Sequence, residues 1–208
     1  MEVVERSQWF YGFLYGWFYD PLEGEHRNMI AKYIPEGSTV LDVCCGTGRL
    51  ATELAPRCRE VRGVDMSRRM LRVCQGQKKQ HGLTNVDFVH GDATRLEEVV
   101  DQAYDYAIIS LALHEMPAPE RLNTLRSMAR VARNLVISDH AVPQPKSIPG
   151  YLTTLAELCF GGRSNFAVYN EFVASGGVLG ALEQCGISPE HQALDSKGIR
   201  HVVKASGF

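Results

Sequence analysis

Residues 39–54, Thr-Val-Leu-Asp-Val-Cys-Cys-Gly-Thr-Gly-Arg-Leu-Ala-Thr-Glu-Leu, restrict this chain more than any other stretch. The apolar, β-branched run Thr39, Val40, Leu41 and Val43 reads as a buried parallel strand. It ends in a turn with Gly46 and Gly48, and a helical pattern (Leu50, Ala51, Leu54) follows at once. Strand, glycine turn and helix form the first half of a nucleotide-binding unit. The glycines admit close backbone approach, and a helix N-terminus favours negative charge. Asp42 stands on the strand just before the turn. A carboxylate there repels a pyrophosphate and suits an ammonium group instead.

The rest of the chain repeats strand and helix signals. Strands are expected near 39–44, 60–64, 86–90, 104–110 and 134–139, with helices near 48–57, 67–80 and 119–132. Alternation of this kind predicts a parallel sheet covered on both faces. Two further strand signals, 188–195 and 199–204, flank a turn at Lys197-Gly198 and predict a terminal hairpin with an antiparallel member. Between them, 141–170 is rich in Pro, Gly and Ser, with a helical piece near 149–160. Residues 170–185 read as a helix ending before Gly186.

Acids recur at the strand ends. Asp42 closes the first strand, Asp65 the second (Gly63-Val64-Asp65-Met66-Ser67), and Asp92 follows the third (His90-Gly91-Asp92-Ala93). Strand four runs from Tyr104 to Ser110 and continues into Leu111-Ala112-Leu113-His114-Glu115. Open α/β sheets bind ligands beyond the carboxyl ends of their strands, where all these residues fall. Each acid also has a structural reading. Asp65 could cap the next helix, in competition with Ser67, and Asp92 could be a loop acid. Asp42 resists such an account, because an unpaired buried carboxylate is costly.

In this order the motifs over residues 38–140 resemble the class I S-adenosylmethionine-dependent methyltransferases. The resemblance is closest to the small-molecule branch with the ubiquinone and menaquinone methyltransferases and type 11 domains. It implies an α/β, Rossmann-like, doubly wound seven-stranded sheet, mostly parallel with an antiparallel terminal hairpin strand and helices on both faces. It implies S-adenosylmethionine as cofactor. The turn around Gly46 and Gly48 would hold its methionine part, with Asp42 toward the ammonium group. Asp65 would accept from both ribose hydroxyls, and Asp92 and the Ala93 amide would meet the adenine edge. Met66 would pack on adenine, and Leu111 would line the transfer site. Cys44 stands where the family has its first turn glycine, which a side chain tolerates if the backbone there stays extended.

Methyl transfer needs alignment and exclusion of water, with a base only if the acceptor loses a proton. His114 and Glu115 follow strand four; Asp139 and His140 follow strand five. His114 and His140 are the candidate catalytic residues, each with the alternative of a structural hydrogen-bonding role. The other histidines are scattered without metal-ligand spacing, so no metal is expected.

Residues 1–37 stand apart from the domain expected over 38–208. Eight aromatic residues lie between Trp9 and Tyr19. They read as a helical lid over an apolar acceptor, as a packed edge helix, or as a weak membrane-surface contact without the usual basic face. A net charge of −2 gives no reason to expect nucleic acid as partner. Six cysteines without Cys-x-x-Cys spacing suggest free thiols and a cytoplasmic location. The leading expectation is methyl transfer to a small, partly apolar acceptor: a quinone precursor, a lipid headgroup or a phenol-like compound. The protein would be a monomer or homodimer. A nicotinamide-dependent oxidoreductase and a non-catalytic cofactor-binding protein are the alternatives.

Overall fold

The β-branched run of residues 39–43 becomes strand β1 (Thr39–Val43), buried at every position. A strand so enclosed must lie mid-sheet, and β1 pairs in parallel with β2 (Glu60–Asp65) on one side and β4 (Tyr104–Ser110) on the other. The structure is a computed structural model and describes residues 24–208. The full sheet has seven strands in the order β3-β2-β1-β4-β5-β7-β6, with β3 at Val86–His90 and β5 at Ala132–His140. The final hairpin, β6 (Pro189–Leu194) and β7 (Arg200–Ser206), inserts β7 antiparallel to both neighbours. The strand order reverses between β1 and β4, which opens a crevice at their carboxyl ends.

Helices clothe both faces and divide the core in two. On one face Val40, Leu50, Leu54, Val61, Phe88 and Ile108 pack together with Ile30 and Ile34. On the other, Leu41, Ile109, Leu125, Leu135, Phe172 and Leu182 form the second cluster. Each fully buried aliphatic side chain contributes roughly 1.5–3 kcal/mol. Ile30 comes from helix α1 (Gly24–Ala31), so this part of the 1–37 segment belongs to the packed body. The aromatic stretch Trp9–Tyr19 lies outside the described residues.

Helices α2 (Arg49–Leu54) and α3 (Arg68–Gln80) follow β1 and β2. Ser67, not Asp65, caps α3 by accepting from the Met70 amide, and Lys78 and Lys79 complement its C-terminal dipole. Helix α4 (Ala118–Val131) leads into β5. The helical piece expected near 149–160 extends into one long helix, α5 (Ile148–Ala174), and the helix expected over 170–185 is split, its first residues closing α5 and the rest forming α6 (Gly177–Cys185). Gly176 and Gly177 both take left-handed backbone, at φ 89° and 64°. That pair ends the regular helix, whereas the earlier glycines do not. None of the described helices is long and apolar enough to cross a membrane.

Candidate active site

The glycine turn is braced from two sides. The Gly46 amide donates to Asp65 Oδ2 at 2.9 Å, and the Cys45 amide to the Val64 carbonyl at 3.0 Å, tying the turn to β2. From α3, Cys74 Sγ donates to the Gly46 carbonyl at 3.2 Å and the Gln77 amide to that of Thr47 at 3.2 Å. Gly46 has φ 53° and faces open space: a Cβ there would meet nothing within 4 Å. Gly48 has φ 75°, and a Cβ there would come within 2.8 Å of Cys74 Sγ and the Phe88 ring. Gly48 is thus required by packing as well as by φ, while the space over Gly46 can receive a ligand. Cys44 departs from the sequence-based expectation. Its φ is 57°, left-handed rather than extended.

Asp42 is buried, and its Oδ2 has no hydrogen-bond partner. Burial, reinforced by the nearby Asp65 carboxylate, pushes its pKa up to about 8, against an opposing Ala51 amide. An acid with an orphaned oxygen on the strand just before an open glycine turn suits a cationic or hydroxyl-bearing ligand group. Asp65 is also buried. Burial raises its pKa, and the amides of Ser67 and Gly46, one on each oxygen, offset this. Asp92 caps the short 3-10 turn Ala93–Glu98, its Oδ1 accepting from the Thr94 amide and hydroxyl. Met66 is exposed at the end of β2. Leu111, just past β4, holds φ 53°. Two non-glycine residues in left-handed backbone, Cys44 and Leu111, therefore flank one crevice, and such strain concentrates at binding sites.

A second group of side chains sits at the ends of β4 and β5. Asp139 is fully buried and accepts four N–H groups. Oδ2 takes the amides of Leu113 (2.9 Å) and His114 (3.2 Å); Oδ1 takes His114 Nδ1 (2.6 Å) and the His140 amide (2.7 Å). Burial alone would raise its pKa, yet His114, His140 and these donors hold it well below the usual carboxylate range. His114 and His140 meet edge to face with ring centroids 4.4 Å apart, and Tyr169 of α5 packs edge-on against both. His140 Nδ1 lies 2.7 Å from a guanidinium nitrogen of Arg200. His114, Asp139 and His140 offer ligand atoms within 4.8 Å of one another. Asp139 is nevertheless committed to four protein donors, and the Arg200 cation beside His140 opposes another positive charge.

Arg121 holds this region to the helices. Almost fully buried, it donates to the carbonyls of Leu113 (3.0 Å) and Met116 (2.8 Å), bracketing His114, and pairs with Glu171 of α5 at 3.0 Å. Its guanidinium lies 5.0 Å above the Phe172 ring. The sequence reading names His114 and His140 but gives no weight to Arg121, Tyr169 or Arg200. The adjacent pair Asp139-His140 was one available signal. Nothing local marks Arg200, which meets His140 only through the β5–β7 register.

Residues 40–134 match a family model described as a methyltransferase domain. A demethylmenaquinone methyltransferase of Geobacillus kaustophilus is 32% identical over 143 residues, covering 67% of this chain and 55% of that protein. The chain spans about half the length of the curated relatives it matches. A SAM-dependent methyltransferase from Aquifex aeolicus has the same fold, with a TM-score of 0.68 at 21% identity over 95% of this chain and 98% of that one. The magnesium protoporphyrin IX methyltransferase of Synechocystis, solved with bound SAH, has a TM-score of 0.60 at 21% identity over 88% and 84% of the two chains. The chain belongs to the class I S-adenosylmethionine-dependent methyltransferases.

Proposed function

We propose that this protein transfers a methyl group from S-adenosylmethionine to a small, partly apolar acceptor bearing an ionisable hydroxyl, such as a quinol or phenol. When bound, the cofactor supplies an electrophilic methyl carbon on a sulfonium. Gly46 and Gly48 would admit its methionine part and Asp42 would meet its ammonium group. Asp65 would face the ribose, Met66, Asp92 and Ala93 the adenine, and Leu111 the transfer site. The single observation that carries the acceptor chemistry is the buried His114–Asp139 pair. An ionised carboxylate on Nδ1 orients the ring and stabilises its protonated form, which makes His114 a general base.

Apolar surroundings support the acceptor class. Tyr169 and Phe172 pack against His114, and Ile148, Tyr151, Leu152, Leu155 and Leu158 expose an apolar row along the same helix. The matched relatives named demethylmenaquinone methyltransferases favour a quinol-type acceptor. To the aromatic part of the lid expected over residues 1–37 we assign the closing of the acceptor pocket, which would exclude water. Assays with labelled S-adenosylmethionine, on naphthohydroquinols, simple phenols and ethanolamine, test this reading. Transfer to the hydroxyl compounds alone is the expected result. Binding of NADH without S-adenosylhomocysteine would overturn it.

A further inference from the structure

We propose that His114 and His140 are held in opposite tautomers. Asp139 makes the first a proton acceptor, and Arg200 makes the second a hydrogen-bond donor. Arg200 is then a positioning residue that acts through His140.

The donor inventory forces the assignment. Asp139 accepts four N–H groups, so His114 presents a proton on Nδ1, and the neutral ring keeps its lone pair on Nε2, 3.9 Å from a Glu115 carboxylate oxygen. A guanidinium can only donate, so the Nδ1 of His140 that it meets at 2.7 Å must accept, and the ring proton lies on Nε2. Two identical side chains 4.4 Å apart thereby receive opposite instructions.

The fold fixes both partners. Arg200 stands directly opposite His140 in the antiparallel β5–β7 pairing, and a one-residue slip would turn it to the other face. The hairpin turn behind it is pinned by Asp195 Oδ1, which accepts the amides of Ile199 (2.7 Å) and Arg200 (3.0 Å). The Gln144 amide adds a bond to the Ile199 carbonyl at 3.2 Å. On the other side, Asp139 grips the backbone of the His114 turn as well as its ring. Neither histidine can exchange roles without breaking these contacts.

The pair suits one kind of acceptor. As an acceptor hydroxyl ionises, its O–H bond breaks and the proton passes to His114 Nε2. The electron pair stays on oxygen, and a His140 ring oriented by Arg200 would present its Nε2–H to an acceptor that reaches it. A neutral amine builds no negative charge as it attacks, and a donor aimed at its lone pair would hinder it. This choice of acceptor rests on the methyl-transfer reading; the tautomers do not.

Long-range proton–nitrogen spectra of the full-length protein labelled with [15N]histidine test the proposal, since they show which ring nitrogen carries the proton. The expected result is Nδ1–H for His114 and Nε2–H for His140, with and without S-adenosylhomocysteine. Arg200→Met should release the His140 preference and leave His114 unchanged. Arg200→Lys, another donor-only side chain, should restore it, and circular dichroism would confirm that both variants fold. With a naphthohydroquinol, kcat should fall about tenfold or more in Arg200→Met and recover in Arg200→Lys. A proton on His140 Nδ1, or an unchanged His140 in folded Arg200→Met, would overturn the assignment. If no acceptor is methylated but the tautomers are as stated, the function reading fails and this inference stands.

Discussion

Asp42 and Asp139 are both buried carboxyls at the carboxyl ends of strands, separated in the sheet only by β4. Their electrostatics are opposite. Asp139 collects four N–H donors and two imidazoles, and its pKa falls below the ordinary range. Asp42 keeps an oxygen without a partner, and burial lifts its pKa to about 8. Equal burial thus gives a finished ion in one place and an unfinished one in the other. The finished carboxylate organises protein groups around it. The unfinished one is what a ligand would complete.

The largest effect should come from breaking the finished side. Asp139→Leu leaves buried backbone amides and the His114 ring without their acceptor, a loss of about 3–5 kcal/mol in denaturant unfolding. His114→Gln keeps the fold and should lower kcat by about 10²–10⁴-fold, with S-adenosylhomocysteine affinity unchanged in calorimetry. A parallel loss of affinity would place His114 on the cofactor side of the crevice and blur the contrast between the two regions.

Asp65→Ala comes next. It removes the acceptor for both the Gly46 and Ser67 amides and also the candidate ribose contact. Cofactor affinity should drop by about 1.5–3 kcal/mol, the worth of a hydrogen bond to a charged group. 5′-Methylthioadenosine, which retains the ribose, should lose as much as S-adenosylhomocysteine. If only S-adenosylhomocysteine weakens, Asp65 acts through the glycine turn and not through the sugar.

Asp42 sharpens the comparison through pH. Its pKa is raised in the folded protein, so between about pH 4 and 8 the folded state holds a proton that the unfolded state has lost. Its contribution to stability is therefore fully present below pH 4 and is lost as pH rises toward 8. Asp139 behaves in reverse, stabilising above pH 4 and losing that contribution as pH falls. Asp42→Asn should flatten the decline between pH 4 and 8 in the free protein. An ammonium-bearing ligand that needs Asp42 ionised should bind more tightly as pH rises to about 8, by at most about tenfold per unit. In Asp42→Asn that slope should vanish for S-adenosylhomocysteine, and 5′-methylthioadenosine should show none in either protein.

The two regions also differ in how far the sequence discloses them. The candidate cofactor side is built from short-range spacing: strand, glycine turn and helix within sixteen positions, then an acid at or after the end of each of the next two strands. Physical constraints on neighbouring residues make such a pattern readable. The candidate acceptor side is assembled by tertiary register. His140 meets Arg200 sixty residues away because β7 enters antiparallel beside β5, and Arg121 reaches Glu171 only once α5 has docked. Helix α5 itself was misread in part, since burial of Tyr169 and Phe172 outweighs the glycines in its middle.

The smallest effect tests the turn on which the cofactor side depends. Cys44 holds φ 57° where L side chains meet their own backbone, at a cost of about 1–2 kcal/mol. Cys44→Gly removes that cost but adds freedom to the unfolded chain, worth about 0.4–1 kcal/mol, and gives up the thiol's packing against one of the two core clusters. The two changes nearly cancel, so stability should stay within about 1 kcal/mol of the parent. Cys44→Val has no such compensation, because a β-branched residue is a true outlier at positive φ. Valine should therefore unfold at lower denaturant than glycine by a margin of at least about 1 kcal/mol, and it should weaken S-adenosylhomocysteine by displacing the Gly46 amide from its place beside Asp65. Equal stability for the two variants would mean that the backbone at Cys44 is extended after all. The open space over Gly46 would then have a different shape.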